Sequence, residues 1–436
     1  MGSRPSNTNS VTVNHAFFQP LQQPLATASN LWHCPELPDD EWLRMGVQRV
    51  LEASPSGRAF LQEHELRFEK TPTYANYFAS LRSRRRRDLA REIDLALITA
   101  LDARLCDRLA GIPELAGYAG FAADGHWHQN ATHDPRHEGS KSAVGHFYRL
   151  NLRTHLLRHL AAAHGLHEHD MRALKGIQPK GLRQQVRKGR RVLMIYDKAG
   201  IDLAYWKRCR RECAVYFLSR AKENMIFPRV ENRAWDESDG RNHGVISDTM
   251  VLSREGHLLR RVVSQDAQSG KGYEFPTNEP DLPPGVIAEL YRRRWEAEKV
   301  LDEVKNKLGQ RKAWGTRLVS KETQAQMIAI THNLLLTYEQ DLERRHDVDN
   351  TAEDQRRSQR SELAQKVGAG RGLPLATLVA QARRASQRCV KFIRWLRQTM
   401  RDRLTETLAV ARLKALYATL SLARMNTDGS ETKLHG

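Results

Sequence analysis

The sequence predicts an α/β protein whose central part forms a mixed sheet and whose two ends are helical. Two short apolar runs each end on an aspartate, Asp124 and Asp197, which is typical of buried strands that end at a functional edge. The stretches between these runs alternate in a way that indicates an antiparallel meander. The expected core is a mixed five-stranded sheet flanked by helices. The strands are predicted at 118–123, 146–152, 156–163, 191–196 and 214–218.

The N-terminal part is predicted to contain an arm and a helical domain. Residues 1–38 are rich in Ser, Asn, Gln and Pro without periodicity, so we expect a disordered arm. Residues 39–114 have apolar positions at helical spacing, and this domain contains the basic cluster Arg82–Arg87. The cluster favours binding to DNA ends, and a solvated charged face remains the alternative.

The C-terminal half continues the sheet domain and then becomes basic and helical. Residues 225–272 are rich in Gly, Asp and Ser between strand-like runs, which predicts a β-rich insertion. A Pro-rich turn follows, and one uninterrupted helix is predicted to begin near Pro284. We place the central domain at 115–342. Residues 343–436 are expected to form a basic helical region, with a flexible linker and tail, that binds DNA, dimerises, or does both.

The helix after Pro284 carries a charged stripe. Tyr291, Arg294, Glu298 and Lys305 lie at i, i+3, i+7 and i+14, close to one line on the helix. A carboxylate among phosphate-binding groups indicates metal-dependent chemistry on a nucleic acid. A solvated helix with i,i+4 ion pairs, such as Arg294 with Glu298, is the alternative.

Three carboxylates are expected to converge at one edge of the sheet. If the first and fourth strands are parallel neighbours, Asp124 and Asp197 lie at the same edge, and a helix beside them can add Glu298. Such carboxylates repel one another, so a divalent cation is the natural compensating charge. Oxygen ligands with open coordination positions suit Mg²⁺ or Mn²⁺.

Composition indicates the partner. The chain of 436 residues has 70 Lys and Arg against 51 Asp and Glu, a formal net charge of +19, which favours a nucleic acid. An anionic membrane surface is the weaker alternative, and no run approaches the roughly 18 apolar residues of a membrane span. Five scattered cysteines without a C-x-x-C pair indicate a reducing cytoplasm and no structural zinc.

Four residues carry a resemblance to a known family. Tyr291, Arg294, Glu298 and Lys305 match the Y-x2-R-x3-E-x6-K signature at every gap, and in this the chain resembles the DDE transposases of bacterial insertion sequences. Ala123-Asp124-Gly125 and Met194–Lys198 are similar to the motifs around that family's two aspartates. The resemblance covers roughly residues 115–340, including a β-rich insertion before the glutamate.

The resemblance implies an RNase H-like core in which Asp124, Asp197 and Glu298 bind two Mg²⁺ ions, for which Mn²⁺ can substitute. The implied function is cut-and-paste transposition. The enzyme would bind terminal inverted repeats, nick the DNA as an endonuclease with metal-activated water, and transfer the 3′-OH end to target DNA. It also implies a homodimer in a synaptic complex and a bacterial, cytoplasmic, nucleoid-associated protein without a membrane partner.

The resemblance also assigns DNA contacts. Tyr291, Arg294 and Lys305 would hold phosphates, and Trp295 would stack on an unstacked base, with a buried helix tryptophan as the alternative. Lys198 stands where relatives commonly have Arg after the second aspartate, and it can still contact phosphate. The chain beyond the fifth strand adds two further candidate DNA contacts, with solvated charges as the alternative: Arg220 and Lys222.

Other acids compete for the three positions. Asp134 is an alternative to the first aspartate and Asp202 to the second. Around the helix Asp302 lies only about 40° from Glu298, whereas Glu296 and Glu303 point elsewhere. Four histidines near Asp124 suggest zinc only weakly, because no cysteine accompanies them. They are His126, His128, His133 and His137.

Two other functions remain open. A catalytically inactive or repurposed transposase derivative would bind DNA without cutting it. An RNase H-like nuclease would cut DNA without strand transfer. The presence of all three acids favours activity, and the intact stripe of Tyr, Arg, Glu and Lys favours a role at transposon ends.

Overall fold

The computed structural model describes residues 11–29, 31–32, 34–68, 70–128, 144–163, 174–265, 270–348 and 390–416. The chain divides into two compact units. One unit combines the N-terminal residues up to Ala26 with the residues from Leu334 onward. The other unit, Thr27–Asn333, contains the sheet and every predicted site residue that the structure describes.

The N-terminal segment differs from the prediction of an arm without a fold. Helices α1 (Val13–Phe18) and α2 (Gln22–Thr27) lie within it. Phe17 and Phe18 are buried, and the ring of Phe17 lies 5.8 Å from that of Tyr338 in the same unit. The prediction was wrong here because Val13, Phe17 and Leu21 repeat at i,i+4,i+8 within a polar composition. Residues 1–10 lie outside the described residues.

The remainder of that unit contains C-terminal helices. Helix α12 (Val390–Arg401) lies in the predicted basic helical region, and residues 406–416 are also helical. Val13 N–H donates to Leu404 O over 3.0 Å, and Arg345 pairs with Glu406 over 2.7 Å. Residues 349–389 and 417–436, which include most of the predicted linker and tail, lie outside the described residues.

Four helices occupy the region predicted to be helical after residue 39. Much of the basic cluster takes part in packing here. Arg85 binds Asp39 over 2.6 Å, buried Arg86 donates to Leu37 O over 2.5 Å, and Arg87 pairs with Glu322 over 2.9 Å. Only Arg82 and Arg84 of the cluster are exposed. The helices are α3 (Asp39–Glu52), α4 (Gly57–Glu65), α5 (Tyr74–Ser80) and α6 (Arg84–Asp102).

The centre of the second unit is one large mixed sheet, which confirms the predicted mixed α/β class. Its strand order is β3-β2-β1-β4-β5-β9-β8-β7-β6. The first five strands are β1 (Tyr118–His128), β2 (Val144–Asn151), β3 (Leu157–Ala163), β4 (Arg191–Ile195) and β5 (Val215–Leu218). The insertion contributes β6 (Arg229–Asn232), β7 (Val245–Leu252), β8 (Leu258–Gln265) and β9 (Gly272–Thr277).

The prediction of five strands was wrong because the sheet has nine. All five predicted core strands are present, and the insertion extends the same sheet. Strands β5 and β9 share one register pair, Leu218 with Thr277, and both backbone and side-chain bonds extend this junction. Thr277 Oγ1 donates to Phe217 O over 2.6 Å, and Phe217 N–H donates to Asn278 Oδ1 over 2.7 Å.

Helices cover both faces of the sheet. Helices α7 (Pro179–Arg183) and α8 (Leu203–Cys213) bury an aromatic core on one face, where Trp206 stacks on Phe217 with ring centres 5.3 Å apart. Three helices follow the insertion. The amide of Asn333 makes two hydrogen bonds to the backbone of Leu157 and so ties the last of them to β3. These helices are α9 (Pro284–Arg293), α10 (Trp295–Asn306) and α11 (Leu318–His346).

The backbone at Gly285 fixes α9 to the insertion and yields a stability prediction. Gly285 N–H donates to Asn242 Oδ1 over 2.9 Å, and an added Cβ would lie 1.9 Å from Arg241 O. Gly285→Ala should therefore lower the free energy of unfolding by at least about 2 kcal/mol, because backbone has to move. Chemical denaturation of the full chain measures this.

The matched control for Gly285→Ala is Gly117→Ala. A Cβ at Gly117 would meet nothing within 4 Å, so this change should stay within about 0.5 kcal/mol or stabilise slightly. Equal effects of the two substitutions would contradict the close packing at Gly285.

Candidate active site

Strands β1 and β4 bring the two predicted aspartates together. The strands pair in parallel, and the last register pair is Ala122 with Ile195. Two residues further along each chain are Asp124 and Asp197, which therefore lie at the same level on the same face. Asp124 still belongs to β1, whereas Asp197 starts a short turn and accepts a 2.9 Å hydrogen bond from Ala199 N–H.

Glu298 reaches this edge from the first turn of α10, which packs against β1. Its side chain is about one-third exposed, and Asp124 is slightly less so. Glu298 and Asp197 both lie close enough to Asp124 to act on its ionisation. The three predicted acids thus come together, as the parallel strands led us to expect.

The pKa of Asp124 reflects the unfavourable electrostatics of this arrangement. Burial raises the pKa of Asp124 to about 6, and repulsion from Glu298 and Asp197 adds to the increase. The 2.8 Å hydrogen bond from Gly125 N–H and the positive charge of Arg294 act in the opposite direction. The carboxylate therefore lies in a place that calls for more positive charge than the described residues provide.

Arg294 lies between the acids. It is only 5% exposed, its Nη2 donates to Glu298 Oε1 over 2.6 Å, and its Nη1 is 4.0 Å from Asp124 Oδ2. The Nε and Nη1 atoms have no hydrogen-bond partner among the described residues. In this structure the guanidinium is thus a buried counter-charge of the acid cluster, a role that the helical stripe alone does not indicate.

The helix around Arg294 is also tighter than the single uninterrupted helix that was predicted. Helix α9 ends at Arg293 and α10 begins at Trp295. Arg294 N–H bonds to Tyr291 O, and Ala297 N–H bonds to Arg294 O, so both bonds span three residues. This tightened turn at Arg294 joins α9 to α10.

Two aromatic rings lie near the Arg294 guanidinium. The Arg294 guanidinium lies 5.5 Å from the ring of Tyr291 and 6.0 Å from that of Trp295. Tyr291 is buried and its pKa is raised by that burial, while Trp295 is half-buried. The Tyr291 phenol also lies near Arg220 and Asp197, since both charges act on its pKa.

The remaining predicted cations lie around the acids or farther along the chain. Lys198, Lys222 and Lys305 are exposed. The guanidinium of Arg220 lies 5.2 Å from the Tyr273 ring. Lys305 lies close enough to His126 to lower the pKa of that imidazole, although burial is the larger cause.

The competing acids have other partners. Asp202 caps α8 through Tyr205 N–H and pairs with Lys175. Glu296 binds His155 over 2.5 Å, and buried Glu303 lies 3.7 Å from Lys307. Asp302 accepts from Asn306, one turn further along α10. Asp134, His133 and His137 lie outside the described residues.

No trio of His, Cys, Asp or Glu among the described residues is spaced as the ligands of one metal ion. The predicted two-ion site therefore stays a prediction. The chemical type of the donors fits Mg²⁺, because all three are carboxylates and the pKa of Asp124 is raised in their company. One carboxylate oxygen of Glu298 is already occupied, because it accepts a hydrogen bond from Arg294.

Sequence reasoning missed Tyr148. It is buried on β2 directly opposite Asp124, and its hydroxyl has no hydrogen-bond partner among the described residues. Burial raises its pKa. The predicted antiparallel pairing of the first two strands could have indicated a residue opposite Asp124. It could not identify Tyr148, because the register depends on the length and geometry of the turn between the strands.

Comparisons with known proteins agree with the predicted class. Residues 120–334 match the family described as "Transposase DDE domain", and the match supports a DDE transposase. No curated protein matches the chain significantly. No helix in the described part of the chain is long and apolar enough to cross a membrane.

Among solved structures, one similar chain comes from the cryo-EM structure of a piggyBac transposase synaptic complex with hairpin DNA. It is 12% identical, and the alignment covers 92% of this chain and 81% of that chain with a TM-score of 0.35. A TM-score this low carries no argument about fold or function.

The raised pKa of Asp124 predicts a pH-dependent stability. The folded state holds the proton more tightly (pKa about 6) than an unfolded chain does (about 3.9), so this contribution is full at low pH and is lost as pH rises through about 6. Without divalent metal, Asp124→Asn should raise the free energy of unfolding by roughly 1–3 kcal/mol at about pH 8.

Denaturant unfolding in a chelating buffer measures this effect, and the gain should shrink towards about pH 4. Glu237→Gln, an exposed acid of the insertion, is the control and should change stability by less than about 0.5 kcal/mol. A variant at Asp124 that is no more stable than the parent at high pH would contradict the unfavourable burial.

Proposed function

We propose that this chain is a DNA transposase of the bacterial insertion-sequence branch. It binds terminal inverted repeats, nicks the DNA, and transfers the freed 3′-OH end to target DNA. The observation that carries the proposal is the meeting of Asp124, Asp197 and Glu298 at one sheet edge, within the region that matches the transposase domain. The order of β1 to β5 fits an RNase H-like core, and the insertion lies between β5 and α9.

The three acids are proposed to hold two Mg²⁺ ions, for which Mn²⁺ can substitute. When bound, such ions would activate water for nicking and stabilise the leaving oxygen of the phosphodiester. The carboxylates supply the hard oxygen donors that these cations prefer. The raised pKa of Asp124 supports a cation here, since added positive charge would favour its ionised form.

Arg294 has two proposed roles. In the structure it neutralises Glu298 and lies near Asp124, so the acids can approach one another before any cation binds. The second role, a contact to a DNA phosphate, follows from the family resemblance and from the fit of a guanidinium to phosphate oxygens. Tyr291 beneath it keeps the guanidinium in place by ring contact.

The exposed cations are proposed to hold DNA. Lys305 lies on α10, and Lys198 follows Asp197 in the chain. Both side chains are exposed to solvent. Arg220 lies near Tyr291, and Lys222 is two residues further along. Such contacts fix the phosphate backbone without reading sequence. Trp295 is half-buried, so part of its ring is available to stack on a base.

The remaining parts of the proposal concern the ends of the chain. Residues 39–114 are proposed to bind transposon ends, with exposed Arg82 and Arg84 as the available cations of the basic cluster. Residues 343–436 are proposed to bind DNA or to join two protomers in a synaptic complex. These roles follow from charge and helix pattern.

A catalytically inactive DNA-binding derivative is the second candidate. The observation that favours it is the Arg294–Glu298 ion pair, which holds a carboxylate that a metal ion would need. The two candidates differ in a strand-cleavage assay on DNA that carries the element's own ends. A nuclease without strand transfer would give nicks but no joined products.

The first functional prediction concerns Glu298. Glu298→Gln should keep the binding of end DNA but lower Mg²⁺-dependent nicking by about a thousandfold or more, because metal catalysis supplies several kcal/mol. Nicking of labelled end DNA and a gel-shift assay measure the two effects. Asp302→Asn, one turn away, is the control and should cut normally.

Two results would count against this assignment. Nicking by Glu298→Gln at the parent rate would move the third acid elsewhere, with Asp302 as the first candidate. Robust cleavage by the parent protein in a chelating buffer would remove the two-ion proposal.

The second functional prediction concerns the salt dependence of DNA affinity. The logarithm of affinity should fall steeply with the logarithm of salt concentration, and Lys305→Gln should reduce that slope by about one, the value of one phosphate contact. Lys207→Gln, which changes an exposed lysine on α8, should leave the slope unchanged. Fluorescence anisotropy measures both slopes, and a flat salt response would contradict an electrostatic interface.

A further inference from the structure

A polar cavity lies on the sheet face opposite to Asp124. Its volume is about 530 Å³. It is lined by Ala119 and Phe121 of β1, which alternate with Asp124 along the strand and so point to the other side. Helix α6, the turn after β2 and the segment before β4 complete the walls. The proposed cleavage chemistry uses none of these residues.

The walls of this cavity are strongly basic. Five arginines line it against two aspartates. Asp107 pairs with Arg153, and Asp102 accepts from the amide of Asn151. The arginines are Arg149, Arg153, Arg158, Arg187 and Arg190.

Two of the arginines are buried, and no carboxylate among the described residues forms an ion pair with them. Arg149 is 3% exposed and donates to the carbonyls of Leu182 and Gln184 over 2.6 and 2.7 Å. Arg158 is 6% exposed and binds the side-chain oxygen of Gln184 over 2.5 Å. Carbonyl acceptors satisfy hydrogens but leave the positive charge in place, which favours an anion nearby.

Ionisation of the neighbouring groups agrees with excess positive charge. Burial lowers the pKa of Arg149 to about 9, and repulsion from Arg158 contributes. The nearest buried acid, Asp94, has a pKa raised to about 7 by its own burial, although both arginines oppose that increase. Asp94 therefore compensates these arginines only partly near neutral pH.

Two further arginines stand at the segment before β4. Arg187 is exposed and Arg190 is half-buried, and neither side chain has an acidic partner among the described residues. The chain reaches them through Gln185, whose positive φ of 68° turns the backbone. Apolar side chains of Ile98, Leu105 and Leu156 line the other walls of the cavity.

We propose that this cavity binds the phosphate group of a nucleotide or of a nucleic-acid backbone, separately from the acid cluster. Arg187 and Arg190 capture the phosphate, and Arg149 and Arg158 supply the buried positive field. The apolar walls suit the sugar or base of the same ligand. The site is a binding site, and no chemical step is assigned to it.

The test uses the full chain and three probes: inorganic pyrophosphate, a deoxynucleoside monophosphate and a short DNA duplex. Calorimetry at low salt measures the affinity of each. The double variant Arg187→Gln/Arg190→Gln should weaken pyrophosphate binding by about tenfold or more, because two charge-assisted contacts are lost. Asp102→Asn, which removes a negative charge from the wall, should tighten it.

Lys188→Gln is the matched control, since Lys188 is exposed in the same segment but does not line the cavity. Its affinity for pyrophosphate should stay within about twofold of the parent, as expected for a charge outside the site. Equal weakening by Lys188→Gln and by the double variant would indicate diffuse attraction and overturn the proposal. Failure of all three probes to bind the parent protein would also overturn it.

The source of the phosphate is decided by competition. If the duplex displaces pyrophosphate from the parent and the double variant also binds the duplex more weakly, the natural ligand is the DNA backbone. If the monophosphate binds while the duplex does not compete, the ligand is a free nucleotide. Glu298→Gln should bind pyrophosphate like the parent. Phosphate binding in the cavity can therefore be tested independently of the proposed cleavage activity.

Discussion

The parallel pairing of β1 with β4 is the constraint on which the rest of the second unit depends. Five consecutive register pairs, from Tyr118 with Arg191 to Ala122 with Ile195, fix the relative height of the two strands. Because side chains alternate along a strand, this register decides which residues of β1 and β4 lie side by side on each face of the sheet. Phe121 and Met194 face the aromatic core, whereas Asp124 and Asp197 face α10. A shift of either strand by one residue would turn its aspartate towards that core.

Placing three acids at one edge carries an electrostatic cost that the protein only partly offsets. The main compensation is Arg294, which is buried, hydrogen-bonded to Glu298 and held between the rings of Tyr291 and Trp295. Even so, the pKa of Asp124 remains raised. The three acids therefore lie together without full charge compensation, and an added cation would be bound favourably because it supplies that charge.

The insertion extends the central sheet, and β9 shares one register pair with β5. Backbone bonds from Ser219 N–H to Pro276 O and from Ala221 N–H to Glu274 O continue the pairing. Side chains add to it, since Thr277 and Asn278 bind the backbone of β5 and Asn278 also donates to Trp206 O. Within the insertion, a buried ion pair between Arg260 and Asp248 links β8 to β7. Strand β6 at the far edge is exposed along its length. The chain leaves the insertion through β9 and the turn into α9, so the same junction positions the helices that carry the acid site.

The sequence by itself determined the mixed α/β class and the five core strands, and it predicted a β-rich insertion and three converging acids, because each of these depends on local signals. Alternation and apolar runs define strands, and the fixed gaps around Glu298 define the helix stripe. It could not determine that the insertion joins the same sheet, since pairing of β5 with β9 depends on contacts about 60 residues apart. Nor could it show helices between Val13 and Thr27, where polar composition hid a short apolar repeat. Above all, the roles within the stripe were decided by tertiary structure. Spacing places Arg294 beside Glu298, but only the packing of α10 against β1 buries the guanidinium among the acids, because burial depends on what the rest of the chain puts on that face of the helix.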